Sequence, residues 1–197
     1  VTDILATIVV SMIAASVFWN SRHGDFVFDD LLIWDSVKRR RNVKENRSPF
    51  AFWLWLRPRR ELLNWTYGAD VLAHDPVWSA EEPKHVHLDR LAWWHYRNMA
   101  YHAVTTASLY AVARYWTSPG PAALGACLLA THPLCCASVA SISGRSSLMC
   151  GMFYAMTLVA FLAGWWWLVP VLGIAAYQSK EEAVTMPLAL VAVWCAK

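Results

Sequence analysis

Asp25-Phe26-Val27-Phe28-Asp29-Asp30 places two adjacent carboxylates just beyond an apolar N-terminal segment. Adjacent acids repel each other, and near lipid each is expensive to keep charged, so the pair demands polar or cationic company. Later motifs offer it. Ser143-Gly144-Arg145-Ser146-Ser147 is a small-residue turn presenting one arginine. Its planar fork of donors suits a phosphate; alternatively it marks the membrane boundary by snorkelling. Lys180-Glu181-Glu182 poses the same choice, between catalytic electrostatics and an interfacial cap. His95, Asn98 and His102 follow one another at offsets of three and four, so they share one helical face. Such a stripe either ties helices together by hydrogen bonds or relays protons. His132-Pro133 breaks another apolar run, since proline removes a backbone donor and disfavours helix at the residue before it.

The elements that must carry these motifs read as membrane helices. Apolar residues make up 57% of the 197, with 13 Trp and only 16% charged, which excludes an ordinary soluble domain. Most of the 17 Lys and Arg, and most of the acids, fall between Arg22 and Arg90. That stretch is nearly balanced, so the formal +3 gives no reason to expect nucleic acid. The expected fold is all-α and polytopic, one membrane domain over 1–197 with a long first loop at 20–90. It has about six transmembrane helices, at roughly 4–19, 91–116, 121–142, 148–164, 165–179 and 183–196, against a typical need of ~20 apolar residues each. The uncharged run Leu148–Gln178 exceeds one crossing, and Gly164-Trp165-Trp166-Trp167 with Pro170 marks its turn at an aromatic belt. Alternating crossings then bring Asp29, Asp30, His132, Arg145 and Lys180-Glu181 to one side. A membrane-embedded active site requires that convergence.

Inside the long loop, Phe50–Leu56 flanked by Arg57 and Arg59 reads as an interfacial helix or a short buried segment. Lys38-Arg39-Arg40-Arg41 is a solvated run or a contact to lipid phosphates. Asn46-Arg47-Ser48 and Asn64-Trp65-Thr66 match the glycosylation tripeptide. Glu81, Glu82, His85 and His87 carry metal-binding groups but lack helical or finger-type spacing, so no metal is assigned. The five cysteines lie in or beside apolar segments and read as small apolar residues.

Four blocks, in order, give the chain a resemblance. They are Asp25–Asp30; His95-Tyr96-Arg97-Asn98 with His102; His132-Pro133 followed by Val139-Ala140-Ser141-Ile142-Ser143-Gly144-Arg145; and Lys180-Glu181-Glu182-Ala183-Val184-Thr185-Met186-Pro187. Together they resemble the ordered motifs of the transmembrane and tetratricopeptide-repeat O-mannosyltransferase family (TMTC-like), within the GT-C membrane glycosyltransferases. The resemblance implies sugar transfer from a polyprenyl-phosphate donor to an acceptor outside the cytoplasm, with the active face of a multi-pass protein extracytoplasmic. It implies Asp29 as base and Asp30 as its partner or as acceptor positioner. Arg145 and Lys180 would bind the donor phosphate, His132 would orient one of them, and His95, Asn98, His102 and Glu181 would support the group. A carboxylate can deprotonate an acceptor hydroxyl while cations hold the departing lipid phosphate. No cofactor is implied beyond the lipid-linked sugar. The implied partners are membrane lipids and a protein acceptor or partner membrane subunits.

Two departures qualify the resemblance. Ala137 stands where the family usually has an acid, and the family's further spans and C-terminal repeats are not in this sequence. The expectation is therefore a fragment, a minimal enzyme or a relic. The alternative is a non-catalytic structural subunit of a larger membrane assembly, its Trp-rich exterior packed against partner helices.

Overall fold

A computed structural model describes residues 2–24, 60–74 and 88–197, and among these residues every regular element is a helix. α1 (Thr2–Val17) runs into a 3-10 turn (Trp19–His23). α2 (Glu61–His74), α3 (Leu88–Arg114), α4 (Pro119–Ala130) and α5 (Pro133–Ala140) follow. α6 (Arg145–Leu162), α7 (Leu168–Ser179), a second 3-10 turn (Glu181–Thr185) and α8 (Met186–Cys195) complete the described chain. Local chemistry sets several boundaries. α4, α5 and α8 each carry proline in the first turn, where its missing N–H costs nothing. α6 closes on Gly164 at φ 76°, with Trp165 N–H returning to the Ala160 carbonyl, a left-handed position that glycine takes without strain.

Helices stand where the six spans are expected, but not all of them are by themselves long and apolar enough to cross a bilayer. α1 with its turn (Thr2–His23) and α6 are long and apolar enough, and α4 with α5 makes a third if the pair, bent by 56°, counts as one. α3 is long enough at about 40 Å, yet its polar residues keep it below that apolarity. α7 and α8 are about 18 and 15 Å long, short of a ~30 Å hydrocarbon core. The segment 165–179 loses Trp165, Trp166 and Trp167 to the turn before α7, which is why its helix is short.

The bundle has two distinct ends. α6 packs mainly on α3 and α7, and α1 lies against α3 and α4. At one end Asp3 accepts from Tyr110 and Arg114, and Trp116 Nε1 donates to the Ala196 carbonyl. At the other end gather Gly24, the start of α3, the start of α6 and the turn after α7. Between them, Phe18, Met99, Val139 and Leu148 form one buried cluster, and Val10, Tyr110, Ala122 and Ala126 another.

Candidate functional site

Arg145 opens α6, and its side chain is wholly buried. A guanidinium in that position must be paired and hydrogen-bonded, because desolvation is costly. Nη1 donates to Asp70 Oδ2 at 2.5 Å, Nη2 to the Trp94 carbonyl at 3.3 Å, and Nε to Asn98 Oδ1 at 3.3 Å. The guanidinium carbon also lies 4.6 Å from the Tyr67 ring centre and 5.2 Å from that of Trp94. Asp70, equally buried, meets a second arginine: Arg97 Nε approaches its Oδ1 at 2.8 Å. Arg97 keeps 30% of its side chain exposed. One carboxylate thus serves two guanidinium groups, one sealed and one facing outward, and the trio holds one cation in excess.

Asp70 reaches this position because Leu63, Thr66, Tyr67 and Asp70 stand at i, i+3, i+4 and i+7 on one face of α2, and all four are buried. Tyr67 stacks on Trp94 and donates its hydroxyl to the Ile142 carbonyl, anchoring α2 to the turn before α6. At the start of α2, Arg60 sits at φ 48° and grips Glu181 through both carboxylate oxygens at 2.9 and 3.0 Å. α2 therefore lies across this end as a strap, with about 15 Å of helix between its two ionic anchors. Lys180 completes the group, its Nζ 2.7 Å from Glu182 and 3.1 Å from Ser147 Oγ. The Glu181 carboxyl is held below the usual glutamate range, first by its own backbone N–H and then by Arg60.

The polar stripe of α3 resolves into ties to backbone carbonyls. His95 Nε2 lies 3.3 Å from the Gly24 carbonyl. Asn98 Nδ2 donates to the Ser141 and Val139 carbonyls, at 2.7 and 3.4 Å, closing the end of α5. His102 Nε2 lies 3.1 Å from the Ala130 carbonyl, which the proline break deprives of its helical donor. These are interhelical bonds, one of the two readings open to the stripe.

No family model, curated protein or solved structure matches the chain. Gly24, the residue before Asp25, reaches the charged end, while Asp29 and Asp30 lie outside the described residues. So do Lys38–Arg41, Asn46–Ser48, Phe50–Leu56 and the Glu81–His87 group. Arg145, Asn98, His95, Lys180 and Glu181 all belong to the charged end. Arg145 does not offer its fork to a ligand as the sequence reading has it: its side chain is wholly buried, and Asp70, Asn98 and Trp94 take three of its five N–H donors. His132 stands apart, exposed, its Nδ1 capping α5 by accepting Leu134 N–H at 3.2 Å. Thr66, of the second glycosylation tripeptide, is buried and donates to the Leu63 carbonyl. Sequence reasoning misses Asp70 and Arg60. Reading 61–74 as an amphipathic helix, with an acid on the face of Leu63 and Tyr67, would have found Asp70.

Proposed function

We propose that this end of the bundle holds the phosphate of a lipid-linked sugar, and that the chain is a TMTC-like glycosyltransferase of GT-C type. In this reading it transfers a sugar from a polyprenyl-phosphate donor to an extracytoplasmic protein acceptor. One observation carries the proposal: outward-facing cations, Arg97 and Lys180, share an end of an apolar bundle with the residue that leads into the Asp25–Asp30 motif. Isolated charges at a membrane boundary need no such grouping, whereas a phosphate leaving group needs cations held in place.

Asp29 is the base that takes the acceptor's proton, and Asp30 is its partner. Lys180 and Arg97 hold the departing phosphate, each kept in position by a carboxylate already bound to it. Arg145 acts from behind, fixing Asp70 and through it Arg97. α3 is a further crossing in this reading, because His95, Asn98, His102 and Thr106 turn into the bundle and leave lipid an apolar face. α7 and α8 complete about six passes, with flanking turns and Trp residues extending them to the interfaces.

The reading is tested with the full chain in lipid vesicles, supplied with defined polyprenyl-phosphate sugars and candidate acceptors. Lys180→Ala and Arg97→Ala should each lower transfer at least tenfold, while the helical content stays unchanged. A second reading, a non-catalytic membrane subunit, draws on the carbonyl ties of the α3 stripe and on exposed Trp65, Trp167 and Trp194. Absence of transfer from every donor, with stable capture by partner subunits, would favour it.

A further inference from the structure

The bend between α4 and α5 leaves a polar break inside an apolar crossing. Leu124, Leu128 and Leu134 are 63%, 62% and 80% exposed, and among them Thr131, His132 and Pro133 are exposed too. The break lies level with His102, roughly halfway along the length of α3, since His102 binds the Ala130 carbonyl. Lipid tails offer no hydrogen-bond acceptor at that depth. Because His132 Nδ1 accepts the Leu134 N–H, the proton of the neutral ring sits on Nε2. Among the described residues that Nε2–H has no acceptor.

The neighbouring residue supplies the complement. Thr131 Oγ1 donates to the Cys127 carbonyl at 3.0 Å, which leaves its oxygen lone pairs to accept. Donor and acceptor stand on consecutive exposed residues, so a two-fold axis beside them would let each His132 meet the opposing Thr131. That reciprocity defines a symmetric, isologous contact. Gly125 is exposed on the same side of α4, with open space where a Cβ would stand, so a second backbone can approach closely.

We propose that this face binds a second copy of the chain within the membrane, through reciprocal His132–Thr131 hydrogen bonds flanked by Leu128 and Leu134. The proposal does not depend on the sugar-transfer reading.

The full chain, labelled at its N-terminus with donor or acceptor dye and reconstituted in phospholipid vesicles, should show energy transfer between the two copies of a dimer. Thr131→Val should reduce that dimer roughly fivefold or more, the loss expected for one membrane hydrogen bond made twice. His132→Ala should do the same, and His132→Asn, which keeps both the cap and an N–H donor, should restore it. Gly125 is exposed and a Cβ there meets nothing within 4 Å, so Gly125→Leu should leave the fold intact and still block the dimer. A chain that stays monomeric in vesicles would overturn the proposal. So would energy transfer indifferent to Thr131, His132 and Gly125.

Discussion

Removing the Asp70 carboxylate would leave Arg145 sealed inside the bundle with no counter-charge. Breaking such a pair from one side costs about 3–5 kcal/mol, far more than the pair's net contribution to stability. Asp70→Ala should therefore lower the unfolding midpoint sharply in detergent, by thermal or denaturant melting, and release α2 to proteolysis. Arg145→Lys should fail as well: a lysine keeps the charge but not the three directed donors or the contact with Tyr67 and Trp94. The Arg60–Glu181 pair is a gentler case, being partly exposed. Its carboxyl titrates lower in the folded chain than in the unfolded one. The unfolded chain then binds more protons as pH falls, so the pair's contribution is full above the ordinary glutamate range and fades below it. Melting curves of the wild type and Glu181→Gln should differ slightly at neutral pH and converge in acid.

The bend between α4 and α5 shows what an element needs from its neighbours. Pro133 cannot donate to the Leu129 carbonyl, and the break also frees the Ala130 carbonyl. Leu129 instead receives His132 N–H and, weakly, Cys135 Sγ, while Ala130 receives His102. Both halves stay satisfied because α3 supplies side chains at the right height. The turn into α6 is tighter still. A Cβ on Gly144 would overlap the backbone of Ser138, so Gly144→Ala must shift the turn that positions Arg145. A loss of about 1–3 kcal/mol is expected, as for overpacking elsewhere, read from the unfolding midpoint. Much of this was visible in the sequence. His132-Pro133 announces the break, the spacing of His95, Asn98 and His102 announces a shared face, and Gly164 announces the end of α6. The partners were not visible, because carbonyls of Gly24, Ala130 and Ser141 carry no side-chain signature. Asp70 was hidden for a different reason: it sits in a charge-rich stretch whose overall balance masked a short amphipathic helix.

At the scale of the whole molecule, the chain separates its charges from its length. Exposed Trp19, Trp65 and Trp93 ring the charged end, and Trp116, Trp165, Trp166, Trp167 and Trp194 ring the other. Along α3 the two rings stand about 30–35 Å apart, close to a bilayer's hydrocarbon thickness. In the proposed reading, the Arg97, Asp70 and Lys180 group stands at one headgroup level, where a lipid phosphate resides. The most direct measurement is sugar transfer by the full chain in vesicles, comparing wild type with Asp29→Asn across defined polyprenyl-phosphate donors. Transfer by the wild type is expected, with a loss of at least ~100-fold in the variant, the low end of what a general base contributes. Transfer unchanged by Asp29→Asn, or none from any donor, would contradict the proposed reading.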